Sequence, residues 1–389
     1  MRLVPVSLVS NRAVSRTRGF SIVELMVAIT LALVVTAAVM GAFLGSRSSF
    51  MSTSGMAAVS DNGRFALDFL QAAVRDAGYM ACNTTQRQIS LLNVGSSAIY
   101  YNFGQPLGGY EATNTVSNAY TLAAAPSGAT STPVAPDPSL ADWLASTGPA
   151  WGGGGLDPAL TGLVIKNNDV LVVNSTLRSN SPPALVTNIS AGASSFTVQN
   201  TYNLQGSRLA VISDCAKSVV FQIYHATPNT PNSTVSLTTG GPGNNSSSTF
   251  PVSFEVGSQV TPVDTTVYYI GEGADGDAAL FSYDMNATTA FVAPATELVP
   301  DIENMQILYG VDTTGTQTVS EYVPAQLVVD FNTVMSVKIA VLAASQPGAV
   351  PKPGGAQVYH LLGNTVTVPA DTRSRQVFEI TVSTRNMED

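Results

Sequence analysis

Histidine, cysteine and tryptophan each occur only twice in the 389 residues, lysine four times, and charged residues of all kinds make up 11%. His225 and His360 stand apart from each other and from Cys82 and Cys215, and neither cysteine belongs to a CxxC pair, so zinc-ligand spacing is missing. Each histidine also lacks a neighbouring carboxylate or nucleophile motif. No GxSxG elbow is present, and the Gly152–Gly155 run has no following Lys-Ser/Thr, so the common hydrolase and phosphate-loop signatures are absent. These scarcities argue against an enzyme and call for no cofactor.

Basic residues are few and unevenly placed. Arg2, Arg12, Arg16 and Arg18 precede residue 20, and beyond them the chain carries 13 basic against 26 acidic residues. Such a surface repels phosphate backbones, so no specific nucleic-acid partner is expected. Arg373, Arg375 and Arg385 with Lys352 form the one basic grouping, read here as a solvated edge. Acidic ligands for calcium are equally thin: Asp275-Gly276-Asp277 lacks the oxygen spacing of an EF-hand loop and fits a β-turn better.

What the chain does have is 45% hydrophobic residues with 32 Gly and 22 Pro, the composition of a loop-rich β protein with a core. One uninterrupted apolar run stands at the N-terminus. Residues 20–46 carry no charge between Leu25 and Gly45, which is long enough to cross a bilayer as a helix. The arginines before it and the lack of a comparable cluster after it orient the first residues to the cytoplasm and the remainder across the membrane.

An ordinary secretory signal is cut after its apolar run. Here Arg-Thr-Arg-Gly lies immediately before it, so cleavage after Gly19 would keep the helix and free the amine of Phe20. Glu24, one turn into that helix, is costly in lipid unless paired. The Phe20 amine, of the same chain or of a neighbour, is the closest fit; a side chain reaching to lipid headgroups is the alternative.

From Met56 to Ala77 the pattern becomes amphipathic, with Val59, Leu67, Leu70, Val74 and Ala77 on one face and Gly78 as a C-cap. Gly41 and Gly45 are candidate points of local helix melting. Beyond Cys82, short apolar runs predict strands at 162–165, 170–173, 196–198, 209–212, 219–223, 252–255, 266–270, 279–283, 305–309, 326–330, 337–342 and 377–382. The Gly- and Pro-rich stretch about 104–160 reads as a loop-rich insertion. Trp143, Trp151 and Tyr100 to Phe103 read as packing beneath it, with a sticky surface for glycans as the alternative. Exported to an oxidising compartment, Cys82 and Cys215 would form a bridge worth about 4–5 kcal/mol in the loop-entropy model; two buried thiols are the alternative.

The segment Arg18-Gly19-Phe20-Ser21-Ile22-Val23-Glu24-Leu25-Met26-Val27 closely resembles the processing site of type IV prepilins and type II secretion pseudopilins, of the class III prepilin type. The resemblance implies cleavage between Gly19 and Phe20 by a prepilin peptidase, N-methylation of Phe20 and an assembly role for Glu24. Gly78-Tyr79 before Cys82, Asp214-Cys215, Ala279-Leu280-Phe281, Glu303-Asn304-Met305-Gln306, Tyr309-Gly310-Val311-Asp312 and Arg375-Gln376-Val377-Phe378 resemble the PilW family of minor pilins. By analogy with that family, Cys82 pairs with Cys215.

The expected fold is therefore α+β and pilin-like. It comprises a cleaved leader (1–19), a transmembrane and filament-core helix (20–46), its amphipathic continuation (47–81), and a large β-rich head (82–389) packed on that continuation. The resemblance implies a minor pilin that passes from the inner membrane to the pilus, with its head periplasmic and then at the cell surface. Its implied partners are the peptidase, other minor pilins, the major pilin, the inner-membrane assembly platform and a tip adhesin. A J-like pseudopilin of type II secretion and a membrane-tethered binding module that never polymerises are the alternatives.

Overall fold

The computed structural model describes residues 19–81, 88–93, 101–113, 119–122, 139–146, 155–176, 182–201, 204, 208–227, 231–239, 245–285 and 295–384. The chain divides into two units, Met1–Met51 and Ser52–Asp389. A single helix, α1 (Ile22–Asp76), contributes to both. In chain order the strands are β1 (Gln88–Ser90), β2 (Leu107–Ala112), β3 (Ala119–Thr121), β4 (Trp143–Ala145), β5 (Val170–Thr176), β6 (Ser195–Asn200), β7 (Leu209–Ser213), β8 (Ser218–Gln222), β9 (Pro231–Ser236), β10 (Gln259–Glu272), β11 (Ala278–Asp284), β12 (Thr296–Pro300), β13 (Ile302–Val311), β14 (Glu321–Val323), β15 (Val334–Ala344), β16 (Gln357–Leu361), β17 (Asn364–Val368) and β18 (Arg375–Ser383).

In the first unit the described helix is charge-free from Leu25 to Ser46, and its side chains there are exposed. Its hydroxyls are satisfied on the helix itself, Thr30 Oγ1 donating to the Val27 carbonyl (2.9 Å) and Thr36 Oγ1 to that of Ala32 (2.7 Å). That arrangement suits a segment surrounded by lipid or by other apolar helices. Helical assignment continues through Gly41 and Gly45, so neither melts the helix.

In the second unit the helix turns amphipathic as its spacing predicts, burying Val59, Gly63, Ala66, Leu67, Leu70, Ala73 and Val74. It ends at Asp76, and Gly78 takes the left-handed conformation (φ 71°) that a C-cap requires. The buried stripe joins a core shared by two sheets. One is nine-stranded, ordered β1-β8-β7-β10-β5-β2-β4, with β11 paired to β10 and β12 to β11; the other is four-stranded, ordered β14-β13-β15-β18. Strand β10 changes partners along its length: β7 accompanies Gln259–Pro262, β5 accompanies Val263–Tyr268 and β11 accompanies Thr266–Glu272. A second core surrounds Phe196, Phe221, Phe250 and Phe254, whose rings meet edge to face.

Several strand expectations fail for one physical reason. Residues 162–165 form a turn with Gly162 at φ 70°, residues 252–255 contribute a single bridge at Phe254, and 326–330 begin in a 3₁₀ turn. Val164, Ile165, Phe254 and Val328 are all buried, so short apolar runs there report burial rather than extended pairing. The stretch 104–160 is likewise more than an insertion. Its β2 is fully buried and pairs with β5 in the large sheet, and β4 pairs with β2. Glycine permits that position: a side chain at Gly109 would collide with the Tyr309 hydroxyl. Trp143 is core, donating Nε1–H to the Asn168 carbonyl (2.8 Å), whereas Trp151 and Tyr100 lie outside the described residues.

Buried polar side chains hold the two sheets together. Asp169 accepts the Ala112 N–H (3.1 Å) and the Ile307 N–H (2.8 Å), and Asn168 Oδ1 accepts the Met305 N–H (2.8 Å). Burial drives the Asp169 carboxyl well above its usual range, and the charge of Glu111 adds to the shift. Tyr120 donates to Asn304 Oδ1 (2.6 Å), while Gln306 donates to the Asn167 carbonyl (3.0 Å) and accepts from Asn364 (2.7 Å).

Candidate processing and assembly site

Gly19 and Phe20 lie ahead of the helix in non-helical conformation, and Phe20 is 84% exposed. Ser21 starts the helix as its N-cap: its carbonyl accepts the Leu25 N–H (3.0 Å) and its hydroxyl accepts the Val23 N–H (3.3 Å). Glu24 reaches back, Oε2 accepting the Ser21 N–H at 3.2 Å. The four residues Ser21-Ile22-Val23-Glu24 form a reciprocal capping box, which satisfies two otherwise orphaned donors. Sequence reasoning weighed the Phe20 amine and lipid headgroups as partners of Glu24 and missed this local one, although the S-x-x-E spacing announces it. The carboxylate also complements the positive end of the helix dipole. Gly19 and Phe20 thus lie exposed directly ahead of a capped helix.

Cys215 sits in the tight β7–β8 connection with φ 67° and is disulfide-bonded. Cys82 lies outside the described residues. Asp214 stabilises the connection by accepting the N–H groups of Ala216 (3.1 Å) and Lys217 (2.9 Å), with Lys217 Nζ 3.0 Å away. A shallow depression of about 500 Å³ adjoins it, lined in part by Asp214, Lys217 and Glu255.

The arginines read as a solvated edge are instead buried. Arg373 spans Asp277 Oδ1 (2.6 Å) and Asp301 Oδ1 (3.4 Å). Arg375 makes two bidentate pairs, Nε and Nη2 with Glu303 (2.5 and 2.8 Å) and Nη1 and Nη2 with Asp371 (2.8 and 2.5 Å). Burial opposes the Arg375 charge, but the hydrogen bonds to Asp371 and Glu303 outweigh it and hold its pKa above the usual value. The acidic balance of the whole chain suggested an edge; acids from two distant segments, Asp277 and Asp301–Glu303, with the neighbouring Asp371, make it a core clamp. Arg385 lies outside the described residues. Asp275-Gly276-Asp277 forms the β10–β11 turn, with Gly276 at φ 78°. His360 is on β16, and its Nδ1 lies 3.3 Å from Thr365 Oγ1. Among the described residues no group of three or more His, Cys, Asp or Glu side chains could hold a metal ion.

A prokaryotic N-terminal methylation motif matches residues 14–40, and the family described as Type IV Pilus-assembly protein W, PilW, matches residues 267–386. The chain is thus similar to prepilins at its N-terminus and to PilW over less than a third of its length. The PilW match runs from the second half of β10 through β18 and so contains the arginine clamp and the Asn304–Gln306 bridge. No curated protein matches the sequence. Four solved chains do. One is the type IV-like pilin TTHA1219 from Thermus thermophilus, at 16% identity, covering 49% of this chain and 89% of that one with a TM-score of 0.23. The chain carries an N-terminal apolar helix long enough to cross a membrane and a large β-rich head.

Proposed function

We propose that this minor pilin is cut between Gly19 and Phe20, methylated on Phe20, and drawn from the inner membrane into a type IV pilus, where it joins other minor pilins in a tip complex that primes assembly. The observation that carries the reading is the charge-free helix headed by the Ser21–Glu24 cap directly after Gly19. Cleavage there leaves the helix and its cap intact on the mature side. In the filament, Glu24 uses its remaining oxygen for the Phe20 amine of its own chain or of a neighbour and so sets subunit register. The head faces the periplasm before incorporation, and a Cys82–Cys215 bridge secures it there. The major pilin, the inner-membrane platform and a tip adhesin complete the set of partners.

Intact mass of the membrane-extracted chain, from cells that carry their own prepilin peptidase, tests the pathway. Loss of residues 1–19 with one added methyl group supports it, and a two-proton gain on reduction supports the bridge. A full-length mass from cells whose peptidase processes another prepilin would replace the filament reading with that of a tethered module.

A further inference from the structure

Most sheet edges in the described head are short or blunted. β1, β3, β4 and β14 have three residues each. β12 contains Glu297, ends in Pro300 and has an irregular register opposite Leu280/Phe281. β6 and β9 are met by bridges from Leu185 and His225, and β9 begins with a proline. These are the devices by which proteins protect exposed edges from pairing. β18 is longer, lacks proline and any register shift, and carries Glu379 as its one charge away from its ends. It is a nine-residue strand at the end of its sheet, without proline or lysine, paired only with β15.

The register fixes which groups face outward. The Thr384 N–H bonds the Met335 carbonyl and the Ser345 N–H bonds the Ser374 carbonyl, whereas the Ala344 N–H turns away to Asp301. Even-numbered residues of β18 therefore spend their backbone groups on β15, and Val377, Glu379, Thr381 and Ser383 direct theirs to the open edge. Among the described residues these outward groups have no backbone partner. Glu379, Thr381 and Ser383 are exposed.

We propose that this edge receives an extended strand from a partner protein, one carrying a basic side chain opposite Glu379 and β-branched residues beside it. Strand addition of this kind takes affinity from backbone hydrogen bonds and specificity from alternate side chains. A second copy is the poorer occupant. Two identical edges meet antiparallel about a two-fold axis, and full overlap of Arg375–Ser383 places Glu379 against Glu379, a destabilising like-charge pair. The proposal stands on sheet topology and is independent of leader cleavage and filament entry.

The test uses the full chain in detergent and a soluble peptide of alternating Thr and Val with a central Lys, followed by residue-resolved amide exchange. Exchange at Val377, Glu379, Thr381 and Ser383 is expected to be fast in the free protein and to slow at least tenfold with the peptide. Glu379→Lys should lose the Lys peptide and accept one with a central Glu. Thr381→Pro removes only an outward donor, so it should abolish binding while leaving exchange at Phe378 and Ile380 unchanged. A peptide N-methylated at alternate residues makes the same cut with the protein unaltered, and it should not bind. Slow outward amides in the free monomer, equal binding of the N-methylated peptide, or concentration-dependent self-association that protects the same amides would each overturn the proposal.

Discussion

Gly63 of α1 lies directly beneath the ring of Phe378 on β18, so close that a methyl group on Gly63 would overlap the ring. The helix and the end strand of the four-stranded sheet therefore meet here at a point that only glycine permits. Gly63→Ala is expected to destabilise the head by about 1–3 kcal/mol, the usual range for overpacking. Pairing it with Phe378→Leu should recover part of the loss in thermal unfolding of the detergent-extracted chain. An additive double variant would show that the two sites do not share this contact.

The Arg375 clamp makes a larger prediction. Arg375→Met leaves the nearly buried Glu303 without its bidentate partner and should cost about 3–5 kcal/mol. Arg375→Lys should recover little, since one ammonium cannot match two planar carboxylates. Denaturant midpoints of the two variants, measured side by side, check both statements.

Asp264 supplies a pH dependence. Burial and the nearby Asp284 charge, against the pull of Arg208 Nη2 3.5 Å away, push its carboxyl up to about 7. The folded state thus holds a proton that the unfolded state releases near pH 4. Stability from this group is highest on the acid side, falls as pH rises from about 4 to about 7, and is flat above, with a full span of up to about 4 kcal/mol. Subtracting the melting profile of Asp264→Asn from that of the native chain should reveal this slope; a difference independent of pH would remove the assignment.

Glu24→Gln should leave cleavage after Gly19 intact, because the amide oxygen still caps Ser21, yet impair incorporation into filaments. The comparison of sheared pili with membrane fractions decides it. Incorporation at the native level would sink the registration role and leave Glu24 as a cap alone.

The N-terminal half of this architecture was legible because helix signals are local. Charge-free length, the three-and-four spacing of Val59, Leu67, Leu70 and Val74, and Gly78 after the last turn each lie within a few residues of what they specify. The head was less so. Val170–Val173 and Val337–Leu342 announced β5 and β15 because both are buried on two faces. Strand β2, Leu-Gly-Gly-Tyr-Glu-Ala, carries no such run, and only its partners β5 and Tyr309 explain its glycines. Arg373 and Arg375 could not be placed from sequence, since Asp277, Asp301 and Glu303 reach them only through the folded topology.

The contact between Gly63 and Phe378 also sets an order of events. Every other strand of the head lies between the helix and the strand that covers Gly63 in sequence, so the contact is among the most distant in the chain. Pairings so distant in sequence form slowly. Until β18 arrives, β15 presents a bare edge beside an uncovered apolar helix, and the chain is then most exposed to mispairing and proteolysis. Docking of β18 thus closes the edge of β15 and the groove over Gly63 in one step.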